Sequence, residues 1–500
     1  MNEKQLIATI KYVAGTKPSF RLSEIIPYLE EPVPVDRLFS ILSPKFKDLN
    51  LLATKQDRDY EISRILPVQP FLINEEERKR QETFFAERIL PPAITTAIEN
   101  YLTKKVGKEW TDPVIIERLR RAIVAQKDDY WKPSHKRSLQ YTKGYSVLGY
   151  LAYHFPVYFM QTEYLMARFA RDGLLKKAMT ILDVGTGPGV VPLAIADFYS
   201  RLDDARATVY SIERSEELIE AFTSLRDTCV PKGGKVGVKS PVKADLRDIP
   251  GEKIPEKIDL MIFSNVLNEL PDATMESRAG IVAQLAERLA SDGSILIVEP
   301  ADKENATRMR SLAVALHQKG LPIYGPCSFI WGTPCTAPGC WSFETAPAIK
   351  LTRVMETLAH CEESYRYVNT DIKYSFAILR KDTRKNLNFR LPPGSRSLRL
   401  SKIHLHVGKR INVTGLKMSG ELGDTRNHVF KICDGTAKTP VYAVLPSYHI
   451  TPENDAITSA PYGSLMEMKG VLVRYNKEHD AYNLLVSRNT GIRKMRAESN

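Results

Sequence analysis

Ile181-Leu182-Asp183-Val184-Gly185-Thr186-Gly187-Pro188-Gly189 is an apolar run that ends in an acid and then breaks into alternating glycines. A second apolar run of helical length, Val190 to Phe198, follows at once, so the segment reads as strand, tight turn, helix. Glycines suit that turn because the backbone must approach a ligand closely and adopt positive φ. The helix behind it presents unpaired N–H groups. Dinucleotide folds cradle a pyrophosphate with G-x-G-x-x-G. Here the spacing is G-x-G-x-G, with an acid two residues before the first glycine. That arrangement fits S-adenosylmethionine better, since an acid favours its ammonium end and there is no phosphate to bind.

Further motifs follow in order, each at the end of an expected strand. Ser211-Ile212-Glu213 puts an acid where nucleotide folds hold ribose hydroxyls. Ala244-Asp245 offers a carboxylate to an adenine amino group, and Leu260 to Asn265 closes the series. Asp183, Gly185, Gly187, Gly189, Glu213, Asp245 and Asn265 are therefore the expected cofactor residues. Strands are expected at Thr180–Val184, Thr208–Glu213, Gly237–Ala244, Ile258–Asn265, Ser294–Glu299 and Leu321–Tyr324, with an antiparallel one at Lys373–Lys381. Their alternation with helices means a doubly wound, Rossmann-like α/β sheet that binds ligands at the carboxyl edge of its strands. Together these features describe a class I S-adenosylmethionine methyltransferase. Asn265 and Glu269 are the catalytic candidates, because substrate and cofactor should meet at the end of the fourth strand. No Asn-Pro-Pro-aromatic motif follows that strand, and no cysteine lies near Asn265. Common amino methylation of adenine or cytosine, and a covalent-thiolate route to C5 of pyrimidines, are thereby disfavoured.

The 500-residue chain carries a net charge of +12 and a pI near 9.2, a balance that points to an acidic partner, most simply nucleic acid. Between Lys381 and Arg410 only Asp382 opposes Lys381, Arg384, Lys385, Arg390, Arg396, Arg399, Lys402, Lys409 and Arg410. Such a run could lie along a phosphate backbone. No apolar stretch reaches the length of a membrane span, and Met1 to Gly15 lacks the apolar core of a secretion signal. A cytoplasmic protein with no membrane partner is expected.

Length suggests about three domains. Residues 1–70 read as short helices followed by a hairpin-like stretch, a winged-helix-like region. Residues 75–177 form a helical lid in which Tyr153, His154 and Phe155 read as packing. Residues 178–381 make the cofactor domain, with a cysteine loop at 325–343, and 382–409 form a basic linker. Residues 410–490 hold short alternating strands at Ile411–Lys417, Val429–Cys433, Val441–Val444, Leu465–Tyr475 and Ala481–Val486, the pattern of an OB-like β-barrel. Phe430, Tyr442, Tyr475 and Tyr482, interleaved with Arg426, Lys431 and Arg474, could stack bases there.

Cys327, Cys335 and Cys340 sit in a loop rich in Pro and Gly, an unusual setting for structural thiols, and cytoplasmic disulfides are rare. They suggest a metal site. Intervals of seven and four residues are too irregular for a zinc knuckle and tolerable for an iron–sulfur cluster, with zinc as the alternative. Cys433 or Cys361 would supply the fourth ligand. Cys229 reads as structural.

The glycine motif, the Tyr150-Leu-Ala-Tyr-His-Phe-Pro156 lead-in and the Pro-Cys327…Cys335…Cys340-Trp-Ser-Phe loop together resemble the methyltransferase-like family of mitochondrial small-ribosomal-subunit assembly proteins and their prokaryotic relatives. The resemblance spans about residues 75 to 435. It implies a class I methyltransferase fold with a 4Fe–4S cluster, acting on the small ribosomal subunit and its rRNA. It assigns Asp183, Gly185, Gly187 and Gly189 to the cofactor and Cys327, Cys335 and Cys340 to the cluster. The first cysteine interval is wider than the family's, and the His often found just after the first Cys is missing. Two other functions fit the same residues: a non-catalytic ribosome-binding assembly factor that uses the cofactor fold as scaffold, and a small-molecule methyltransferase.

Overall fold

The computed structural model describes residues 3–495 except 18, 30–31, 47–48, 50, 65–70, 131, 133–143, 271–272, 334, 336–338 and 393. The chain divides into two compact units, Met1–Pro70 and Phe71–Asn500.

In the first unit, α1 (Glu3–Thr16), β1 (Ser19–Arg21), a 3-10 turn (Leu22–Tyr28), α2 (Val35–Phe46), β2 (Leu51–Gln56) and β3 (Asp59–Arg64) follow in order. The strands pair as β1-β3-β2 over a core of Leu6, Ile10, Leu22, Ile25, Leu38, Leu42 and Ile62. Two details differ from the sequence reading. The short helix expected at Leu22–Leu29 is a 3-10 turn carrying Pro27, which lacks the donor a longer helix needs, and the hairpin gains Ser19–Arg21 as a third strand.

The second unit opens with α3 (Glu75–Glu87), α4 (Pro92–Val106), α5 (Pro113–Tyr130), α6 (Tyr145–Tyr153) and α7 (Phe155–Arg171). Asn74 and Glu77 form a reciprocal cap on α3, and prolines open α4 and α5, as the missing donor allows at that position. Of the expected lid, residues 131 and 133–143 lie outside the described residues. The sheet domain then runs β4 (Ala178–Val184), α8 (Val190–Ser200), β5 (Arg206–Glu213), α9 (Glu216–Cys229), β6 (Val236–Val238), β7 (Val242–Lys243), β8 (Ile258–Ser264), α10 (Met275–Ala286), β9 (Leu289–Pro300), α11 (Lys303–Gln318), β10 (Ile323–Gly325), β11 (Glu344–Ala346), α12 (Arg353–Leu358) and β12 (Ile372–Arg380). The strand order is β10-β12-β9-β8-β4-β5-β6. β4 to β9 pair in parallel, while β12 runs antiparallel to both β9 and β10. This is the doubly wound class I methyltransferase arrangement, with its switch point between β4 and β8.

Alternate residues of each strand feed two layers. Ile181, Val209, Leu260, Ile262 and Phe376 face α7, α8 and the lid. Leu182, Val184, Met261, Phe263 and Ala377 face α10 and α11. The expected third strand is two short ones because Pro241 cannot donate to the ladder. Pro322 likewise delays β10 to Ile323.

The carboxyl-terminal strands are β13 (Arg410–Lys417), β14 (Asn427–Cys433), β15 (Val441–Pro446), β16 (Leu465–Asn476), β17 (Ala481–Leu485) and β18 (Gly491–Lys494), with α13 (Ala456–Ser459) before β16. β13 pairs with both β14 and β16, and β15 pairs in parallel with β17, so five strands close into a barrel and β18, not expected from sequence, adds to β16. Phe430 is in the barrel core at 3% exposure, and Lys431 is buried at 7%. Neither forms part of a base-stacking surface, which corrects the sequence reading; Tyr475 is exposed and its ring lies 5.1 Å from that of Tyr482. Lys381 donates to the carbonyls of Glu287 and Leu289, and Arg384 to those of Asp172 and Gly173. These two cations satisfy open backbone acceptors. Arg390, Arg396, Arg399, Lys402 and Lys409 are exposed.

Candidate functional site

Gly185, Gly187 and Gly189 all adopt positive φ (74°, 56° and 86°), which explains the glycines of the turn. Their surroundings differ. A Cβ on Gly185 would meet Val266 Cγ2 at 2.3 Å, and one on Gly189 would meet Phe222 Cδ2 at 2.0 Å, whereas at Gly187 nothing lies within 4 Å. Gly187 fronts open space; Gly189 is held by packing.

Gly185, Gly187, Glu213, Asp245, Asn265 and Glu269 line one cavity of about 370 Å³ at the carboxyl edge of the parallel strands. Asp183 lies at 1% exposure, and its Oδ2 has no hydrogen-bond partner. Burial, with Glu213 adding to it, pushes the Asp183 carboxyl from 3.8 up to about 7. Glu213 is fixed by backbone donors: Gly187 N–H to Oε2 at 2.9 Å, and the N–H groups of Arg214 and Ser215 to Oε1, each at 2.9 Å. The guanidinium of Arg247 forks onto Asp245 and lowers it to about 2. Asn265, a non-glycine at φ 54°, donates its N–H to the Val298 carbonyl at 2.8 Å and so turns the chain at the end of β8.

The cavity has further walls that sequence reasoning missed. Tyr153 and His154 line it, as do Tyr150, Tyr158 and Pro300; Phe155 alone of the expected packing trio is wholly enclosed. Asn268, expected beside Asn265 and Glu269 at the end of the fourth strand, lines it as well. Glu299, next to Pro300, is 3% exposed and accepts the Asn268 N–H at 3.2 Å; burial raises its carboxyl well above the usual range. The available signal was the spacing 150, 154, 158, 161, a single stripe along a helix.

The thiols form a separate centre. Cys327, Cys335 and Cys340 lie on the loop between β10 and β11, and Cys433 ends β14. Cys327 lies within electrostatic range of Cys335 and Cys340, and Cys433 within range of Cys327 and Cys340. Two buried cations flank them. Arg310 Nη1 is 4.0 Å from Cys327 Sγ, and Lys431 Nζ is 3.4 Å from Cys340 Sγ. Burial would raise the Cys340 thiol, but Lys431 and Arg310 outweigh it and lower it. Cys361 is not brought in: it sits beside Tyr367 and 3.8 Å from the Leu358 carbonyl. Cys229 contacts the Ala93 carbonyl at 3.7 Å. Among the described residues no group of three or more His, Cys, Asp or Glu is arranged around a single ion, and no helix is long and apolar enough to cross a membrane.

The family model described as mitochondrial small ribosomal subunit Rsm22 matches residues 144–399, and that of the C-terminal domain of a family of unknown function, DUF8157, matches 401–495. No curated protein matches. Many solved structures are similar in part, three of them as follows. One, described as an S-adenosyl-L-methionine-dependent methyltransferase from Methanococcus maripaludis, is 20% identical over 33% of this chain and 64% of that one, with TM-score 0.22. NSun6 from Pyrococcus horikoshii with SFG is 15% identical over 45% and 50%, TM-score 0.27. The plantazolicin methyltransferase BpumL in complex with SAH is 11% identical over 61% and 98%, TM-score 0.26.

Proposed function

We propose, on the premise that this chain belongs to the mitochondrial small ribosomal subunit Rsm22 family, whose model matches residues 144–399 of its 500, that it is an S-adenosylmethionine-binding, methyltransferase-like protein of small-ribosomal-subunit assembly. One observation carries the cofactor: a buried, unpartnered carboxylate oxygen on Asp183 behind a glycine turn that opens into the cavity. The residues fit the group. Asp183 and the Gly185–Gly187 turn would hold its cationic amino-acid end, Glu213 its ribose and Asp245 its adenine amino group. The bound cofactor would supply an electrophilic methyl. The chain itself contributes positioning, with Asn265 and Glu269 at the edge where an acceptor would lie. Incubation of the full protein with methyl-labelled cofactor and purified small subunits tests this. Label in the rRNA is the expected result; cofactor binding without label would instead favour the non-catalytic assembly role, for which the same cavity serves as scaffold.

Asp183 gives the binding a pH signature. A carboxyl raised in the folded chain contributes stability that is present at pH 4 and below and is lost as pH rises towards about 7. A cationic ligand needs the ionised form. Affinity is therefore expected to climb with pH by up to about tenfold per unit below about 7 and to level off above it. Calorimetric titration from pH 5 to 8 checks this; Asp183→Asn should bind weakly with a flat profile. A wild-type affinity that does not vary below pH 7 would remove Asp183 from the site.

We assign the thiols to an iron–sulfur cluster, of the 4Fe–4S type, held by Cys327, Cys335, Cys340 and Cys433. Support comes from the donor set: Cys327 within electrostatic range of Cys335, Cys340 and Cys433, with Arg310 and Lys431 to offset the negative charge of a thiolate-ligated centre. Anaerobically purified protein should be brown. Cys433→Ser should lose the visible absorbance and Cys361→Ser keep it. Colourless protein with one zinc per chain would overturn the assignment.

The rRNA partner is supported by the exposed cations between Arg390 and Lys409 and by the barrel, read as an OB-like fold with Tyr475 and Arg474 on its surface. The compartment is that of the ribosome served: the cytoplasm on the sequence reading, the mitochondrion where the subunit is mitochondrial.

A further inference from the structure

The cofactor residues account for only part of the cavity lining. Residues of α5, α6 and α7, with Asn268 of the turn after β8, line it too, and the cofactor reading uses none of them. Tyr150, His154, Tyr158 and Gln161 fall at intervals of four, four and three along continuous helical backbone, so they form one stripe, and all four line the cavity. The ring centroids of Tyr150 and His154 are 5.4 Å apart, and those of His154 and Tyr158 are 5.7 Å apart with only 18° between their planes.

Unused polar groups accompany the rings. Gln161 is 2% exposed and its Nε2 has no partner; the Oε1 of Gln126 and the Oδ1 of Asn268 have none either. All three residues line the same cavity. Buried amides of this kind are normally paired. A wall of aromatic rings with unpaired amide donors and acceptors complements a flat heterocycle that has both kinds of group on its edge. Burial, with the Lys127 ammonium adding to it, lowers His154 to about 4, so the ring is neutral at physiological pH and stacks as an uncharged heterocycle.

We infer that this half of the cavity is a binding slot for a single unstacked nucleobase, held against the Tyr150–His154–Tyr158 stripe and read on its edge by Gln126, Gln161 and Asn268. The inference rests on the RNA-directed reading above and narrows it: the group brought to the cofactor is a base, not a ribose hydroxyl or a protein side chain.

The test is zero-length ultraviolet crosslinking of the full protein, with S-adenosylhomocysteine present, to short single-stranded fragments of purified small-subunit rRNA, followed by mass spectrometry of crosslinked peptides. Crosslinks within 145–161 are expected. In a Tyr150→Ala/Tyr158→Ala double variant they should fall about tenfold, as loss of base stacking implies, while Tyr158→Phe, which keeps the ring, should retain them. Thermal melting and labelled-cofactor binding establish that the variants are folded. Crosslinks confined to 381–410 and the barrel would overturn the base slot and leave the RNA reading standing. No crosslinks anywhere would overturn both. In the incubation with methyl-labelled cofactor and purified small subunits described above, label in a ribosomal protein would overturn the slot in favour of a side-chain acceptor.

Discussion

Gly189→Ala is expected to destabilise the folded chain by about 2–5 kcal/mol, combining the cost of a Cβ in the left-handed region with overpacking. The added atom would stand 2.0 Å from the Phe222 ring at φ 86°, and Phe222 is itself fully buried. Relief would require moving α9 away from the turn. Gly187→Ala should behave differently. Its Cβ meets nothing, so stability should fall by only about 1 kcal/mol from the left-handed backbone. The methyl group would instead occupy the cavity, and cofactor affinity should fall about tenfold or more. Urea unfolding and calorimetric titration of the two variants separate these roles. Equal losses of stability would contradict the division of the turn into a packed glycine and a ligand-facing one.

Arg310→Met carries the second large effect. Arg310 is 5% exposed and donates to Ser342 Oγ, the Phe376 carbonyl and Tyr462 Oη, each at 2.7 Å. These partners come from the thiol loop, β12 and the turn between α13 and β16 of the barrel. A methionine fills the space but removes three hydrogen bonds to a buried cation and leaves the Phe376 carbonyl without this donor, a loss of about 3–5 kcal/mol. Arg310→Lys should recover only part of this, because an ammonium cannot reproduce the guanidinium fork. The unfolding midpoint in urea reads the effect. A loss below about 1 kcal/mol would mean that water or neighbouring donors replace the guanidinium.

The sheet was legible because its signals are local. Asp183, the glycines and Glu213 fall at strand ends that apolar runs mark by themselves, and the positive φ values explain why those positions are glycine. The strand break at Pro241 and the late start of β10 after Pro322 follow from the same local chemistry. The rest depended on tertiary neighbours. Tyr150, His154 and Tyr158 lie in helices so apolar that they read as core, and only the cavity beside them separates lining from packing. Lys431 alternates with core residues along β14, a pattern that reads as a surface cation; the thiol loop covers it. Arg310 gave no sign in sequence, being one polar residue on an amphipathic helix. The nearness of Cys433 to the thiol loop likewise depends on the placement of β14, which spacing along the chain does not give.

Crosslinking in cells, with recovery of the full protein and sequencing of the attached RNA, tests the central claim most directly. The account predicts that small-subunit rRNA dominates the recovered reads and that large-subunit rRNA does not. Recovery of no rRNA, or of large-subunit and messenger RNA in proportion to their abundance, would contradict it.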